Sequence, residues 1–134
     1  MSGEGHRWVI IDELVISFTE VGPSRDAVWH AFVNDLISRR VTKYLATSIG
    51  SVNVNSVQRK IVSEALKQRN VAVAAVTDDR LVRGLVTAVA WLGVNIKPFS
   101  WSEIGEAVNY LNISPAKTER IIRAAIQLRE GATK

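Results

Sequence analysis

The chain has 134 residues and a net charge of +4, with 47% apolar residues, 22% charged residues and no cysteine. This length fits one domain of about 100–200 residues, and the composition excludes intrinsic disorder. The absence of cysteine excludes disulfides, thiolate metal sites and thiol nucleophiles. No apolar run reaches the roughly 18 residues that span a bilayer, and the N-terminus lacks the pattern of a secretory signal. We therefore expect a cytoplasmic protein without a membrane span, folded as a single domain over residues 1–134.

The first forty residues predict a β-hairpin followed by a helix. Residues 7–11 and 14–20 are two β-rich runs on either side of a two-residue polar break, which is the pattern of a hairpin. A helix then opens at Pro23 or is capped by Ser24, and helical spacing of apolar residues continues to about Arg40.

A strand and a second helix follow. Residues 43–49 predict the strand, and residues 50–55 form a loop that ends in Asn55, which makes a capping-box pattern with Gln58. The predicted apolar face of this helix consists of Val57, Ile61, Ala65 and Leu66.

The next unit repeats the alternation of strand and helix. Residues 71–76 form a nearly continuous apolar run, as in a strand that is buried on both faces of a parallel sheet. Asp78 and Asp79 lie at the predicted start of a third helix, and Gly93 lies where its C-terminus favours a left-handed residue. The predicted apolar face of the third helix consists of Leu81, Val82, Leu85, Val86, Val89 and Leu92.

The last part of the chain predicts a short edge strand and two helices. The strand covers residues 94–99, and Ser100 with Glu103 forms a second capping box at the start of helix four. Helix five begins at Pro115 and ends at Gly131. The resulting order ββαβαβαβαα predicts an α/β fold with a mixed, mainly parallel sheet.

Two segments of the second half carry a resemblance to a known family. One is the strand 71–76 with the helix start Thr77-Asp78-Asp79-Arg80-Leu81-Val82-Arg83, and the other is the strand 94–99 with Ser100-Trp101-Ser102-Glu103-Ile104-Gly105-Glu106-Ala107. Together with the order of elements, they resemble the STAS domain, the fold of bacterial anti-sigma-factor antagonists. The resemblance covers about residues 7–111 and leaves a helical addition over residues 112–131. It implies a non-enzymatic protein-interaction domain in bacterial signalling or spatial organisation, whose partner is a kinase, a GTPase or a scaffold.

The loop before helix two corresponds to the loop that is phosphorylated in this family, so the resemblance points to it as the docking region, together with helix two. The family's loop typically reads Asp-Ser-Ser-Gly, and one serine receives a phosphate from a partner kinase. The matching stretch here is Asn53-Val54-Asn55-Ser56, which has valine at the usual acceptor, so the candidate acceptors are Ser56 and, in a shifted loop, Ser51. The alternative is that these polar side chains only satisfy loop and cap hydrogen bonds.

A helix N-terminus favours an anion, and two cations in the first turns of helix two strengthen that preference. The predicted partner-binding or anion-binding residues are therefore Ser51, Asn53, Asn55, Ser56, Arg59 and Lys60.

One face of helix three is a second candidate interface. Arg80, Arg83, Gly84, Thr87 and Trp91 recur at helical spacing, and an exposed tryptophan beside arginine is typical of protein–protein contacts. The alternative is that Trp91 packs beneath the last helix.

Charge is unevenly distributed along the chain. Residues 1–38 hold two basic and six acidic residues, whereas residues 39–69 hold seven basic residues and one acidic residue. The acidic and basic parts of two copies could complement each other across a two-fold axis, which would give a homodimer. The alternative is that the basic part is a solvated helix face.

Two other functions remain open. Residues 100–130 resemble a helix-turn-helix, and Lys117, Arg120 and Arg123 line its second helix, but a net charge of +4 is small for a dedicated DNA-binding protein. The loop before helix two could also serve a small-molecule or anion sensor.

Signals of catalysis are weak. His6 is near a chain terminus expected to be loose, His30 lies within helix one, and neither belongs to a metal-binding or catalytic motif. We therefore predict no catalytic residue, no metal and no cofactor. Trp8 and Trp101 are expected at the boundary of the core.

Overall fold

A six-stranded sheet carries helices on both of its faces in the computed structural model, which describes residues 2–3, 5–23, 25–50, 52–53 and 55–131. For residues 2–3, 22–23 and 52–53 the description covers the backbone alone. The strands of the main sheet are β1 (Ser2–Gly3), β2 (His6–Ile11), β3 (Leu14–Thr19), β5 (Lys43–Ser48), β7 (Ala72–Val76) and β8 (Ile96–Phe99). Two further strands, β4 (Gly22–Pro23) and β6 (Val52–Asn53), pair only with each other.

The order of strands in the main sheet follows their order in the chain. The β1–β2 and β2–β3 pairs are antiparallel, and the β3–β5, β5–β7 and β7–β8 pairs are parallel. In the parallel part, Ile16 lies opposite Leu45, Leu45 opposite Ala74, and Ala74 opposite Lys97. The predicted fold class, α/β with a mixed and mainly parallel sheet, is confirmed.

In the part of the chain that the structure describes, five α-helices and one 3₁₀ turn connect the strands or follow them. They are α1 (Asp26–Ser38), α2 (Ser56–Gln68), α3 (Arg80–Trp91), the 3₁₀ turn Trp101–Glu103, α4 (Ile104–Tyr110) and α5 (Pro115–Gly131). The start of α1 differs from the prediction, because its N-cap is Arg25 and Pro23 belongs to β4. Ser24 lies outside the described residues.

Left-handed residues end three of the helices. Asn70, Gly93 and Asn112 follow α2, α3 and α4 with φ angles of +52°, +97° and +56°. Glycine and asparagine tolerate this conformation better than other residues. The sequence indicated Gly93 for this role.

The sheet separates two hydrophobic cores. On β3, Val15 packs towards α1 and α2, whereas Ile16 packs towards α4 and α5. The first core also contains Trp8, Trp29, Phe32, Leu36, Tyr44, Leu66 and Val73. The second contains Leu45, Ala74, Val76, Val108, Leu111, Ile121 and Ala125. Because both faces are covered, the central strands are apolar on both sides, as the run at residues 71–76 predicted.

Three apolar side chains that were predicted to face the core are exposed instead. Val57 of α2 is 63% exposed, and Leu81 and Leu92 are 80% and 61% exposed. Val57 and Leu81 belong to the first turns of their helices, where the helices begin beyond the strand ends. Helix α3 lies over the edge strand β8, so only Val86 of that helix is fully buried.

The N-terminal strand is better anchored than expected. His6 is completely buried, and its Nδ1 lies 2.9 Å from Thr19 Oγ1. Its ring stacks on Trp29 at a centroid distance of 4.3 Å. Burial, with a smaller contribution from the charge of Arg7, lowers the pKa of His6 to about 3, so the ring is neutral at physiological pH. The expectation of a loose terminus at this residue is wrong.

The two tryptophans assigned to the core boundary differ from each other. Trp8 is fully buried in the first core, and its Nε1 donates to Asp35 Oδ2 at 2.8 Å, so its boundary assignment is wrong. Trp101 is partly buried, and its Nε1 donates to Ser48 O at 2.9 Å. The Arg129 guanidinium lies 4.4 Å from the centroid of its ring, in a cation–π contact.

Candidate functional site

The carboxyl ends of strands β3, β5 and β7 lie at one edge of the sheet because these strands are parallel. Each is followed by a loop that leads into a helix. In open α/β sheets, ligands bind in the crevice outside this edge. The loop that the sequence singled out, residues 50–55, is the second of these three connections, so the candidate residues are at the expected end of the sheet.

Two of the connections at this edge are joined to each other. Strands β4 and β6 pair in parallel, with Gly22 opposite Val52 and Pro23 opposite Asn53. Gly50 has a φ of +70°, and a Cβ atom at that position would lie 2.8 Å from Cγ2 of Val21. Asn53 thus contributes its backbone to the pairing of β4 with β6. Ser51, which the sequence offered as a phosphate acceptor in a shifted loop, lies outside the described residues.

The predicted capping box at the start of α2 is confirmed. The Asn55 side chain accepts from the Gln58 backbone N at 2.8 Å, and Gln58 Oε1 accepts from the Asn55 N at 3.3 Å. Gln58 also donates from Nε2 to Asp26 Oδ1 at 2.8 Å, which ties α2 to the first turn of α1. Asn55 therefore has a structural role, whereas Ser56 begins the helix with an exposed side chain.

The cations of α2 have no acidic partner in the described part of the chain. Neither Arg59 nor Lys60 forms an ion pair with a described residue. Both line an open groove of about 410 Å³ along the outer face of the helix. We call this the basic groove, and its residues are Ser56, Arg59, Lys60, Ser63, Glu64, Lys67 and Leu92. The structure thus brings three of the six predicted binding residues together, and it adds Lys67, which lies two turns further along the helix.

The acidic residues of the first third are engaged inside the chain. Five of the six are described, and each has a partner. The pairs are Asp12 with Lys117, Glu13 with Lys43, Glu20 with Arg7, Asp26 with Gln58, and Asp35 with Trp8. In a dimer held by contacts between acidic and basic parts, three of these carboxylates would have to share or exchange the cations with which they are paired.

The second candidate interface, on α3, is open to solvent. Trp91 is 84% exposed, and Arg80, Gly84 and Thr87 are exposed as well. The alternative in which Trp91 packs beneath the last helix is wrong, because α5 packs against β3 on the other face of the sheet. Arg83 is partly buried at the end of this face.

The C-terminal helices offer few free cations for a nucleic acid. Lys117 Nζ lies 3.1 Å from Asp12 Oδ2, and Arg123 Nη2 lies 3.0 Å from Glu119 Oε1. Of the three predicted phosphate contacts, Arg120 alone has no ion-pair partner among the described residues.

A feature that the sequence did not reveal is an apolar cavity of about 160 Å³ between α2, α3 and the sheet. Ala46 of β5 and Ala75 of β7, which lie opposite each other, form part of its floor. Its walls include Val62 and Leu66 of α2 together with Val86 and Val89 of α3. The two small side chains leave room on the floor, and α2 and α3 do not close over it.

The cavity has a polar end. Ser48, Arg59 and Thr77 line it where β5 and β7 end and α2 begins. Trp29, in the first turn of α1, also lines the cavity. Trp29 is 5% exposed, and its Nε1 has no hydrogen-bond partner among the described residues. A buried indole N–H without an acceptor is uncommon in native structures and calls for an explanation.

Two negative findings on the residues that the structure describes concern metal ions and membranes. No cluster of three or more histidine, cysteine or acidic side chains suited to a metal ion is present in this part of the chain. No helix in it combines the length and the hydropathy required to cross a bilayer.

Comparison of the chain with protein-family models, with curated proteins and with solved structures found no match.

Proposed function

We propose that the chain is a non-enzymatic interaction domain of the STAS-like type, which docks an acidic segment of a protein partner in the basic groove of α2. The observation that carries this proposal is the contrast in charge pairing. Among the described acidic residues of the first third, three pair with cations and two accept from neutral donors, whereas Arg59 and Lys60 have no ion-pair partner among the described residues. Arg59 and Lys60 therefore leave unpaired positive charge in this groove, and charge complementarity selects an acidic partner.

Apolar groups beside the groove favour a protein over a simple anion. Val57 precedes the cations at the start of α2, and Leu92 lines the far end of the groove; both are more than half exposed. A protein interface combines an apolar centre with a polar rim, and these residues supply both. The resemblance to STAS domains supports a kinase, a GTPase or a scaffold as the partner class, and a cytoplasmic setting.

A photo-crosslinking amino acid in place of Lys60 tests the proposal in cells of the source organism. We expect an adduct with one protein, through an acidic peptide of that protein, and no such adduct from the same probe at the exposed Gln127 of α5. An adduct that is equally strong from both positions, or one that maps to a basic peptide, would contradict the proposal.

A charge-matched pair of variants then measures the contribution of the groove. Arg59→Ala with Lys60→Ala should weaken binding of the crosslinked partner by up to about thirtyfold, because two cations each contribute up to about 1 kcal/mol at an exposed contact. The melting temperature should stay nearly unchanged. Arg39→Ala with Arg40→Ala removes the same charge from exposed positions outside the groove and should leave binding intact. If both double variants lost the same affinity for the partner, the effect would come from net charge and not from the groove.

Binding to duplex DNA is the competing outcome. Affinity that falls steeply with salt, and that is lost when Lys117, Arg120 and Arg123 are changed to alanine, would replace the proposal by the DNA-binding function.

A further inference from the structure

The apolar cavity between α2 and α3 is separate from the basic groove, although Arg59 borders both. Its volume of about 160 Å³ is similar to that of engineered cavities that bind benzene. The apolar end of the cavity offers water no hydrogen-bonding group, so a small molecule can enter there without displacing tightly bound water.

The two ends of the cavity differ in chemistry. Towards the amino ends of the strands, it is lined by Leu66, Val73, Val89 and Ile96. These side chains offer no hydrogen-bonding group, so this end suits a hydrocarbon or an aromatic ring.

At the carboxyl ends of the strands, the lining includes polar groups and a cation. The Arg59 guanidinium carries a positive charge without an ion-pair partner among the described residues, and Trp29, whose buried Nε1 has no hydrogen-bond partner there, lines the same end. The Ser48 and Thr77 hydroxyls lie at the same end. A ligand that satisfies this end must bring acceptor atoms, and a negative charge complements Arg59 best.

We propose that the cavity binds a small amphipathic carboxylate, whose hydrocarbon part fills the apolar end while its carboxylate pairs with the Arg59 guanidinium at the end lined by Trp29. The Arg59 guanidinium gains an anionic partner in this way, and the space between the two helices is filled. This site shares Arg59 and Ser63 with the basic groove, but Lys60 lines only the groove and Ala75 lines only the cavity, so variants at those two positions distinguish the two proposals.

Three six-carbon probes test the site on the full chain: hexanoate, 1-hexanol and hexylammonium. They share a hydrocarbon chain and differ in the charge of the head group. We expect hexanoate to bind about tenfold more tightly than hexanol, because its carboxylate pairs with the Arg59 guanidinium, and hexylammonium to bind least. In ¹H–¹⁵N spectra, hexanoate should move the Trp29 indole resonance, which is identified by its absence from Trp29→Phe. Equal binding of hexanoate and hexylammonium would overturn the proposal.

Three variants localise the binding. Ala75→Leu fills the floor of the cavity and should abolish binding of both hexanoate and hexanol, with its melting curve showing that the variant is folded. Arg59→Gln should lower hexanoate affinity to that of hexanol. Lys60→Gln, which changes a neighbouring cation on the outer face, should leave hexanoate binding unchanged while it weakens docking of the protein partner. Unaltered hexanoate binding in Ala75→Leu, or equal effects of Arg59→Gln and Lys60→Gln, would refute the cavity site without touching the docking proposal.

Discussion

Replacing Ala75 by leucine should stabilise the protein, although the residue lies in the central strand β7. Ala75 is almost fully buried and lines the cavity of about 160 Å³, so the three added carbon atoms enter empty space. At about 0.8 kcal/mol for each buried methylene group, they contribute roughly 2.4 kcal/mol. Loss of side-chain freedom costs about 0.5–1 kcal/mol, which leaves a net gain of roughly 1.5 kcal/mol.

The gain can be measured as a shift of the melting temperature. An unfolding entropy of about 2.1 cal/mol/K per residue gives roughly 0.28 kcal/mol/K for this chain, so 1.5 kcal/mol corresponds to about 5 °C. Scanning calorimetry or thermal melts followed by circular dichroism would detect such a shift.

Ala74→Leu is the matched control. Ala74 is the preceding residue of the same strand, but it faces the second core and does not line the cavity. The same substitution there overpacks a filled core and should destabilise by about 1–3 kcal/mol. If Ala75→Leu lost as much stability as Ala74→Leu, then α2 and α3 would be closed over the sheet in solution and the cavity argument would be refuted.

Three further predictions concern the N-terminal half. The pKa of His6 is about 3 in the folded state and about 6.5 in the unfolded state, so the unfolded state binds the proton first as pH falls. The free energy of unfolding should therefore decrease by about 1.4 kcal/mol per pH unit between these two pKa values. Urea titrations of His6→Gln should lack this part of the pH dependence. Gly50→Ala should lower the free energy of unfolding by about 1–2 kcal/mol because of the left-handed φ at this position, and by more because the new Cβ would contact Val21. Adding Val21→Ala to this variant should recover only the part of the loss that comes from the contact. Full recovery of stability would contradict the backbone argument. Asn55→Ala should cost about 1 kcal/mol through loss of the cap on α2 while Asn55→Ser costs little, and equal losses in thermal melts would argue against capping.

Periodicity predicted the long elements because each buries one face against the sheet. The apolar run at residues 71–76 and the capping patterns at Asn55 and Ser100 indicated these elements within a residue or two. The two-residue strands β4 and β6 were missed, because a pair so short has no periodicity and is held by backbone atoms from distant parts of the chain. The burial of His6 had a weak signal that was not used: His6, Trp8 and Ile10 alternate towards the same core.

The site was predicted in part. The sequence pointed to the start of α2 because a helix N-terminus with two cations has a local signature. The cavity has no local signature, since it depends on how far apart α2 and α3 lie over Ala46 and Ala75. The apolar pattern of α3 was misleading for a related reason. Leu81 and Leu92 fit a core-facing stripe, but a helix over an edge strand has less sheet beneath it than a central one.

The agreement between strand order and chain order has a consequence for synthesis on the ribosome. Each new strand of the main sheet pairs with one that has already emerged, so the sheet can grow during translation. Folding is faster in topologies with many local contacts, and this strand order belongs to that kind. Helix α5 is the exception, because it returns to β3 and its Leu128 carbonyl accepts a hydrogen bond from Arg7 Nη2 at 3.0 Å. The Leu14 and Ile16 face of β3 therefore lacks the cover of α5 until that helix has emerged, and this face is where we expect chaperones to bind first.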